Sequence, residues 1–290
     1  MPELPEVESV RKSLEISLED VGLARIDSLF PGVLTFCPTL AEARLPAKFL
    51  GADRRGKMLA LRFQGEQTLL IHLRMTGRLY FPNGEEPLLP HTHVLLHLED
   101  QRTLAFCDPR RFGRLVWHVG TPFDRIPELN RLGPDALSLS SKVFFQLLKP
   151  RNRMIKPLLL DQIVLSGLGN IYVDESLFRA GIHPKQISGD LSRKRIDLLW
   201  ESVMEVLQKA IENGGSTIRD FVGFSGEAGN YQKHHSVYGR AGLECVRCGG
   251  ILRRILVAQR GTTYCPHCQR LIYRRTKGKA IRGRRVGISP

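Results

Sequence analysis

Four of the six cysteines stand as two CxxC pairs, Cys245-Val246-Arg247-Cys248 and Cys265-Pro266-His267-Cys268, with 16 residues between the pairs. In a chain without secretory features this spacing reads as a tetrahedral zinc site rather than disulfides. Four thiolates leave the ion no open position, so it would be structural and not catalytic. The other end of the chain reads MPELPE. Removal of Met1 leaves Pro2 as a free secondary amine, with Glu3 and Glu6 within one helical turn. A generic α-amine titrates near ~7.7–8.0, so much of it is neutral at cellular pH. Attack of such an amine on a sugar C1′ gives an iminium that is necessarily cationic and that acidifies the adjacent C–H, which opens an elimination. Glu3 could protonate a leaving group or ring oxygen. Taken alone, Met-Pro-Glu is equally the start of a well-capped helix.

The distribution of charge narrows the partner. The 290-residue chain carries a formal net charge of +14. Residues 1–134 are balanced, with 17 basic and 17 acidic residues, whereas residues 135–290 hold 26 basic and 12 acidic. From Cys245 onward there are 12 basic residues and no acidic one. A segment of one sign calls for an anionic partner, first of all nucleic acid. An anionic membrane surface is second, and the segment lacks the amphipathic basic helix that would seek it. No apolar run is long enough to span a bilayer. The N-terminus is acidic and has no apolar h-region, so a cytoplasmic protein is expected.

Two further motifs could meet an anionic duplex. Ser166-Gly167-Leu168-Gly169-Asn170 opens a helix with glycines that allow close backbone approach. The first amides of that helix form an anion site, and Asn170 can donate to the same phosphate. A tight glycine turn between two helices would look the same. Asp108-Pro109-Arg110-Arg111-Phe112-Gly113 joins two guanidiniums to an aromatic wedge of the kind that fills the place of a displaced base. Met75 is a second apolar residue at a strand end, and alone it reads as core.

The elements that must position these groups follow from periodicity. Val7, Val10, Leu14 and Leu18 recur at helical spacing from Glu6 to about Leu18. Between about 24 and 119, short apolar or alternating runs at 57–63, 67–74, 77–81, 93–99, 102–107 and 113–119 alternate with turns, the pattern of a sandwich or barrel. After Leu132-Gly133-Pro134-Asp135 helical periods take over, at Pro157–Gln162, Ile171–Ala180 and Leu191–Ile211. Residues 214–236 are glycine-rich and read as a long functional loop. Between the cysteine pairs, two β-like runs around Gln259-Arg260-Gly261 read as a zinc-pinned hairpin that projects Arg260.

MPELPEVE, LRMTGRL, DPRRFG, GLGNIYVDE and the C-x2-C-x16-C-x2-C segment together resemble the bacterial formamidopyrimidine-DNA glycosylases, over nearly the whole chain. The resemblance implies an α+β multidomain fold. A β-sandwich with a leading helix would occupy 1–134, and a helix-two-turn-helix domain 135–236, with the lesion-recognition loop at 214–236. A zinc finger with one structural Zn2+ would occupy 237–275, followed by a basic tail at 276–290. It further implies excision of oxidised purines from damaged double-stranded DNA and strand cleavage by β,δ-elimination, by a monomer associated with the nucleoid. Pro2 would be the Schiff-base nucleophile and Glu3 the general acid. Lys57 and Arg260 would assist elimination, with Glu6 and Glu175 in support. Met75, Arg110 and Phe112 resemble the residues that fill the void left by the base. His72, His91, Arg151, Lys156 and Asn170 resemble further DNA contacts, and Cys245, Cys248, Cys265 and Cys268 the zinc ligands. The tail would add sequence-independent affinity. Two alternatives stand beside this. An endonuclease VIII-like enzyme for oxidised pyrimidines is disfavoured by Leu4 and the Arg110/Phe112 loop. A zinc-containing DNA-binding protein without catalysis leaves Pro2-Glu3 and Lys57 unexplained.

Overall fold

The computed structural model of the chain describes residues 2–37, 39, 43–83, 87–217 and 229–272. The middle of the glycine-rich loop and the whole 276–290 tail lie outside the described residues. Helix α1 spans Leu4–Ser17, with Pro5 in the first turn, where the missing N–H breaks no helical bond. The Glu3 amide, which the helix leaves without a partner, donates to Glu6 Oε2 at 2.8 Å. Val7, Val10, Leu14 and Leu18 are all buried, as their spacing predicts.

Nine strands follow: β1 (Gly22–Ser28), β2 (Leu34–Cys37), β3 (Ala47–Arg55), β4 (Met58–Phe63), β5 (Gln67–His72), β6 (Arg78–Tyr80), β7 (Thr92–Leu98), β8 (Thr103–Cys107) and β9 (Arg114–Val119). The last six match the runs read from sequence. β1 and β3 carry too many polar residues to have stood out, as in the GADRR end of β3, and β2 has only four residues. All nine form one ladder in the order β2-β9-β5-β4-β3-β1-β7-β8-β6. β1 pairs with β3 at its start and with β7 along its length, so the ladder folds over itself into two layers. Leu61, Phe63, Leu69 and Trp117 from one layer share a core with Val94, Leu96, Leu104 and Phe106 from the other. This is the expected sandwich, and α1 closes one end of it with Val7, Val10 and Leu14.

The helical part holds α2 (Pro127–Asn130), α3 (Ser141–Leu148), α4 (Ile155–Leu160), α5 (Asn170–Arg179) and α6 (Arg193–Glu212). Helix α3 was not evident from periodicity, although Ser140 caps it by accepting from the Val143 amide. Helices α3 to α6 share a second core, and Leu4 belongs to it, whereas Val7, one turn on, belongs to the sandwich. The first turn of α1 therefore straddles the seam between two cores. A half-buried clasp reinforces the seam. Arg54 donates to Glu8 Oε2 at 2.8 Å and to Asp135 Oδ2 at 2.5 Å, and the Gly56 amide reaches Asp135 Oδ2 at 2.7 Å. The clasp fixes the β3–β4 turn that carries Lys57. At the C-terminal end, β10 (Arg253–Val257) and β11 (Arg260–Tyr264) pair antiparallel. Ala258 and Gln259 between them have φ of 46° and 62°, the two left-handed residues of a type I′ hairpin turn.

Candidate active site

A cleft of about 1040 Å³ opens along the seam, and Pro2, Glu3, Glu6, Lys57, His72, Met75, Arg110, Asn170 and Arg260 all line it. Residues more than 250 positions apart thus share one cavity. Glu3 is buried, and its carboxylate accepts from the Ile171 amide at 3.1 Å and the Tyr172 amide at 3.4 Å. These are the free amides that open α5. The anion site read from the GLGN motif is real, but the anion is the chain's own Glu3 and not a phosphate. The glycines make that possible. A Cβ on Gly169 would lie 2.2 Å from Glu3 Cδ, and one on Gly167, at φ +107°, would lie 2.4 Å from Leu4. The Leu4 amide donates to the Gly167 carbonyl at 3.1 Å, so the N-terminal segment is laid directly on the glycine turn.

Glu6 accepts from the Glu3 amide, from Tyr172 Oη and from the Ser216 amide at 2.7 Å. Burial pushes the carboxyls of Glu3 and Glu6 up; the Lys57 ammonium pulls Glu3 back down, while Glu3 pushes Glu6 further. Lys57 is itself buried, which lowers its pKa, and the same two carboxylates oppose the drop. The three groups are one electrostatic unit: the carboxylates hold the Lys57 charge and Lys57 holds that of Glu3, while Glu3 disfavours that of Glu6. His72 faces two cations, Arg74 and Lys57, and burial together with them brings its pKa to about 3, so the ring is neutral.

The rim is built differently. Phe112 is 49 % exposed and Met75 is 39 % exposed, so neither is core, which corrects the reading of Met75 taken alone. The Arg110 guanidinium lies over the Phe112 ring at 4.7 Å. Buried Asp108 organises this loop: its carboxylate accepts from Thr76 Oγ1, from the Arg110 amide at 3.2 Å and from the Gly113 amide at 2.6 Å. Phe112 itself is outside the lining of the cleft, as are His91, Arg151, Lys156 and Glu175. His91 accepts from the Asp108 amide with its carbonyl at 3.0 Å and so supports the same loop. Arg151 is exposed on the helical part and donates to the Leu147 carbonyl.

Lys156 departs most from expectation. Its side chain is 0 % exposed and ion-paired with Asp174 at 2.6 Å, so as folded it offers no ammonium to a phosphate. It and Asn170 Nδ2 both donate to the Gly261 carbonyl, at 3.2 and 3.0 Å, and the Thr263 amide donates to Asp174 at 3.2 Å. These bonds dock the hairpin on α5 and place exposed Arg260 at the cleft. Glu175 is also buried, and it accepts from the amides of Ser236, Val237 and Tyr238 at 2.8–2.9 Å. It fixes the segment that leaves the glycine-rich loop. Behind the hairpin the four cysteine sulfurs lie within 4.8 Å of one another. A tetrahedron with Zn–S of ~2.3 Å has edges of about 3.8 Å. Cys245 to Cys268 is 3.9 Å and Cys248 to Cys265 is 3.5 Å, so the set fits zinc.

Family models describing a formamidopyrimidine-DNA glycosylase N-terminal domain and H2TH domain match residues 1–115 and 132–222. A relative of the same name from Pelotomaculum thermopropionicum is 42% identical, with 93% of this chain and 100% of the relative covered. The chain belongs to the formamidopyrimidine-DNA glycosylase family. A third model, the zinc finger found in FPG and IleRS, matches residues 242–271 and with the sulfur geometry assigns one structural zinc. Two solved structures of similar fold hold DNA. The Lactococcus lactis Fpg bound to abasic-site DNA is 34% identical with a TM-score of 0.84, covering 93% of this chain and 100% of its own. A MutM bound to DNA containing carbocyclic 8-oxo-G is 35% identical with a TM-score of 0.82, over the same shares. For a glycosylase of this family, sequence reasoning missed the residues that position others: Asp108, Asp135, Tyr172 and Asp174. An Asp directly before a Pro-Arg-Arg turn was a signal for the first of them.

Proposed function

We propose that this family member excises oxidised purines, 8-oxoguanine and formamidopyrimidines, from duplex DNA and then cleaves the strand by β,δ-elimination. The observation that carries this reading is the convergence of Pro2, Glu3, Glu6 and Lys57 in one cleft, with Met75, Arg110 and Arg260 around it. Once Met1 is removed, the Pro2 amine attacks C1′ of the extruded nucleotide. A base flipped from the stack leaves a gap, and Phe112 with Met75 and Arg110 stands exposed to fill it. Glu3 supplies the proton to the opening sugar ring: burial keeps its carboxyl in reach of the neutral form, and the α5 amides hold it in place. Glu6 fixes the backbone between Pro2 and Glu3 through the Glu3 amide. Lys57, with its pKa lowered by burial, assists proton removal in the eliminations, and Arg260 from the hairpin binds a phosphate next to the lesion. Neutral His72 offers a ring nitrogen to the sugar-phosphate near Lys57. The enzyme works as a monomer, with residues 1–134 as the catalytic part, 135–236 and 237–275 as the DNA-binding parts, and no membrane partner. Among the described residues no helix is long and apolar enough to cross a bilayer.

Borohydride trapping tests the reading. The processed protein is incubated with duplex carrying one 8-oxoguanine opposite cytosine, reduced, and mapped by mass spectrometry. A covalent adduct on Pro2 is expected. Intact binding without an adduct, on this duplex and on an abasic one, rejects the amine mechanism.

A further inference from the structure

Glu6 is only 1 % exposed, and the titratable groups that face it are Glu3, Lys57 and the phenol of Tyr172. From Tyr172 a line of polar atoms leads away from the cleft. Tyr172 Oη meets Glu6 Oε1 on one side and lies 3.3 Å from Ser216 Oγ on the other. Ser216 Oγ lies 3.1 Å from His235 Nε2. The His235 ring also bonds the Tyr238 backbone. Exposure rises along the line, from 0 % at Tyr172 to 4 % at Ser216 and 8 % at His235. Ser216 and His235 stand on the two stretches of chain that lead into and out of residues 218–228, and the bridge between Ser216 and Asn230 holds those stretches together.

We infer that Tyr172, Ser216 and His235 form a proton relay that connects the buried Glu6 carboxyl to the base of the glycine-rich loop. Every member is both donor and acceptor, and the line has two consistent settings. In one, the Glu6 carboxylic acid donates to Tyr172 Oη, Tyr172 to Ser216 Oγ, and Ser216 to the free Nε2 of a neutral His235. In the other, each O–H bond has broken and re-formed one place along. Glu6 is then a carboxylate, His235 an imidazolium, and the hydrogen bonds run in the opposite direction. One proton has left Glu6, one has arrived on Nε2, and no heavy atom has moved. Burial raises the Glu6 carboxyl and brings His235 to about 4, and both directions favour the setting with the proton on Glu6, while the Tyr172 hydroxyl donating to Glu6 belongs to the other. The charged or polar groups around His235 are His234 and the Tyr231 and Tyr238 rings, and buried Glu175 is held by the amides of residues 236–238. None supplies a strong counter-charge to trap the imidazolium, so the proton returns.

The relay rests on the Pro2 mechanism. Conversion of the amine to the iminium sheds its N–H proton, and ring opening takes one up at O4′. A carboxyl beside Glu3 whose charge resets through a buried line serves both steps without admitting water to the cleft. The role is positioning and proton transfer behind the reacting atoms, not contact with them.

The test is single-turnover excision of 8-oxoguanine as a function of pH, in Ser216→Ala and His235→Gln. Glutamine still accepts from Ser216 through its carbonyl oxygen but does not titrate, so a merely structural bond survives in it. Both variants should lose about tenfold or more at the optimum and show a displaced pH limb, with unchanged affinity for a tetrahydrofuran duplex. Wild-type rate and limb in His235→Gln overturn the relay, whatever Ser216→Ala does. Should Ser216→Ala lose duplex affinity through misfolding, His235→Gln decides alone. Borohydride trapping of the wild-type protein on abasic DNA separates the two levels: no adduct there sinks the nucleophile, whereas an adduct beside unchanged variants sinks only the relay.

Discussion

The N-terminal segment and the zinc-finger hairpin are both anchored on helix α5, and they are anchored by opposite means. The N-terminal end sits on the helix's first amides, where the Glu3 carboxylate replaces the partners the helix lacks. Two glycines clear the space for it, and the Lys57 ammonium is the largest charge that favours its ionised form. The C-terminal hairpin reaches the same helix through a fully buried ion pair, Lys156–Asp174, and through bonds to one backbone carbonyl. That hairpin is held in shape by four thiolates around a metal. The first attachment is built into the fold, while the second depends on charge pairing and on zinc. The groups proposed for catalysis use the former, and Arg260, proposed to grip a phosphate, uses the latter. Chemistry thus has the more rigid support and DNA capture the more separable one.

The comparison breaks first, and most severely, at Glu3. Glu3→Gln keeps the acceptor for the α5 amides but removes the acid. Excision in single-turnover assays should fall by about 10²–10⁴-fold while damaged duplex is still bound. Near-normal excision would exclude Glu3 as the acid. At the other anchor the loss should be of stability. Asp174→Asn strands a buried ammonium, which costs about 3–5 kcal/mol. Removing both charges, as Lys156→Met with Asp174→Leu, should cost only about 1–3 kcal/mol, chiefly for the orphaned Thr263 amide. Denaturant unfolding of the two variants measures the difference, and equal losses would mean that the pair is not desolvated.

The pH response sharpens the contrast on the cleft side. His72 has a folded pKa of about 3 against an ordinary 6.5, because burial, Arg74 and Lys57 all disfavour its charge. The unfolded chain therefore takes up a proton that the folded chain refuses. The contribution of His72 is fully present above pH 6.5 and is lost as pH falls from there towards about 3. His72→Gln should flatten the stability curve over that window in thermal melts at stepped pH, and a slope identical to wild type would show that the ring is solvated.

Much of this was legible in the residues. The CxxC spacing specified four sulfurs that meet, because tetrahedral thiolate coordination tolerates few arrangements. Short apolar or alternating runs from Lys57 onward marked the strands: β5 is buried along five of its six residues, whereas the end of β7 alternates. Three things were not legible. β1 and β3 carry charged residues and β2 is only four residues long, so periodicity faded there. The GLGN turn announced an anion site, but only the three-dimensional seam shows that Glu3, 168 positions away from Ile171, occupies it. The resemblance implied Lys156 as a DNA contact, and its partner Asp174 lies 18 residues on, on the next helix. Long-range pairing of buried charge is invisible to any window along the chain.

The smallest effect expected on folding is also the one that best separates the rim from the interior. Phe112, at 49 % exposure, packs chiefly under Arg110. Phe112→Ala should leave stability within about 0.5 kcal/mol, as surface substitutions do. Phe106, at 0 % exposure in the sandwich core, should cost about 3–5 kcal/mol for the same change. Affinity for an abasic duplex should nevertheless fall by about 1–2 kcal/mol in Phe112→Ala, because a wedge gains its energy only once base stacking surrounds it. Titration of fluorescent duplex beside a denaturation curve checks both halves. A variant that unfolds easily but binds normally would return Phe112 to the core and leave the gap to Met75 and Arg110 alone.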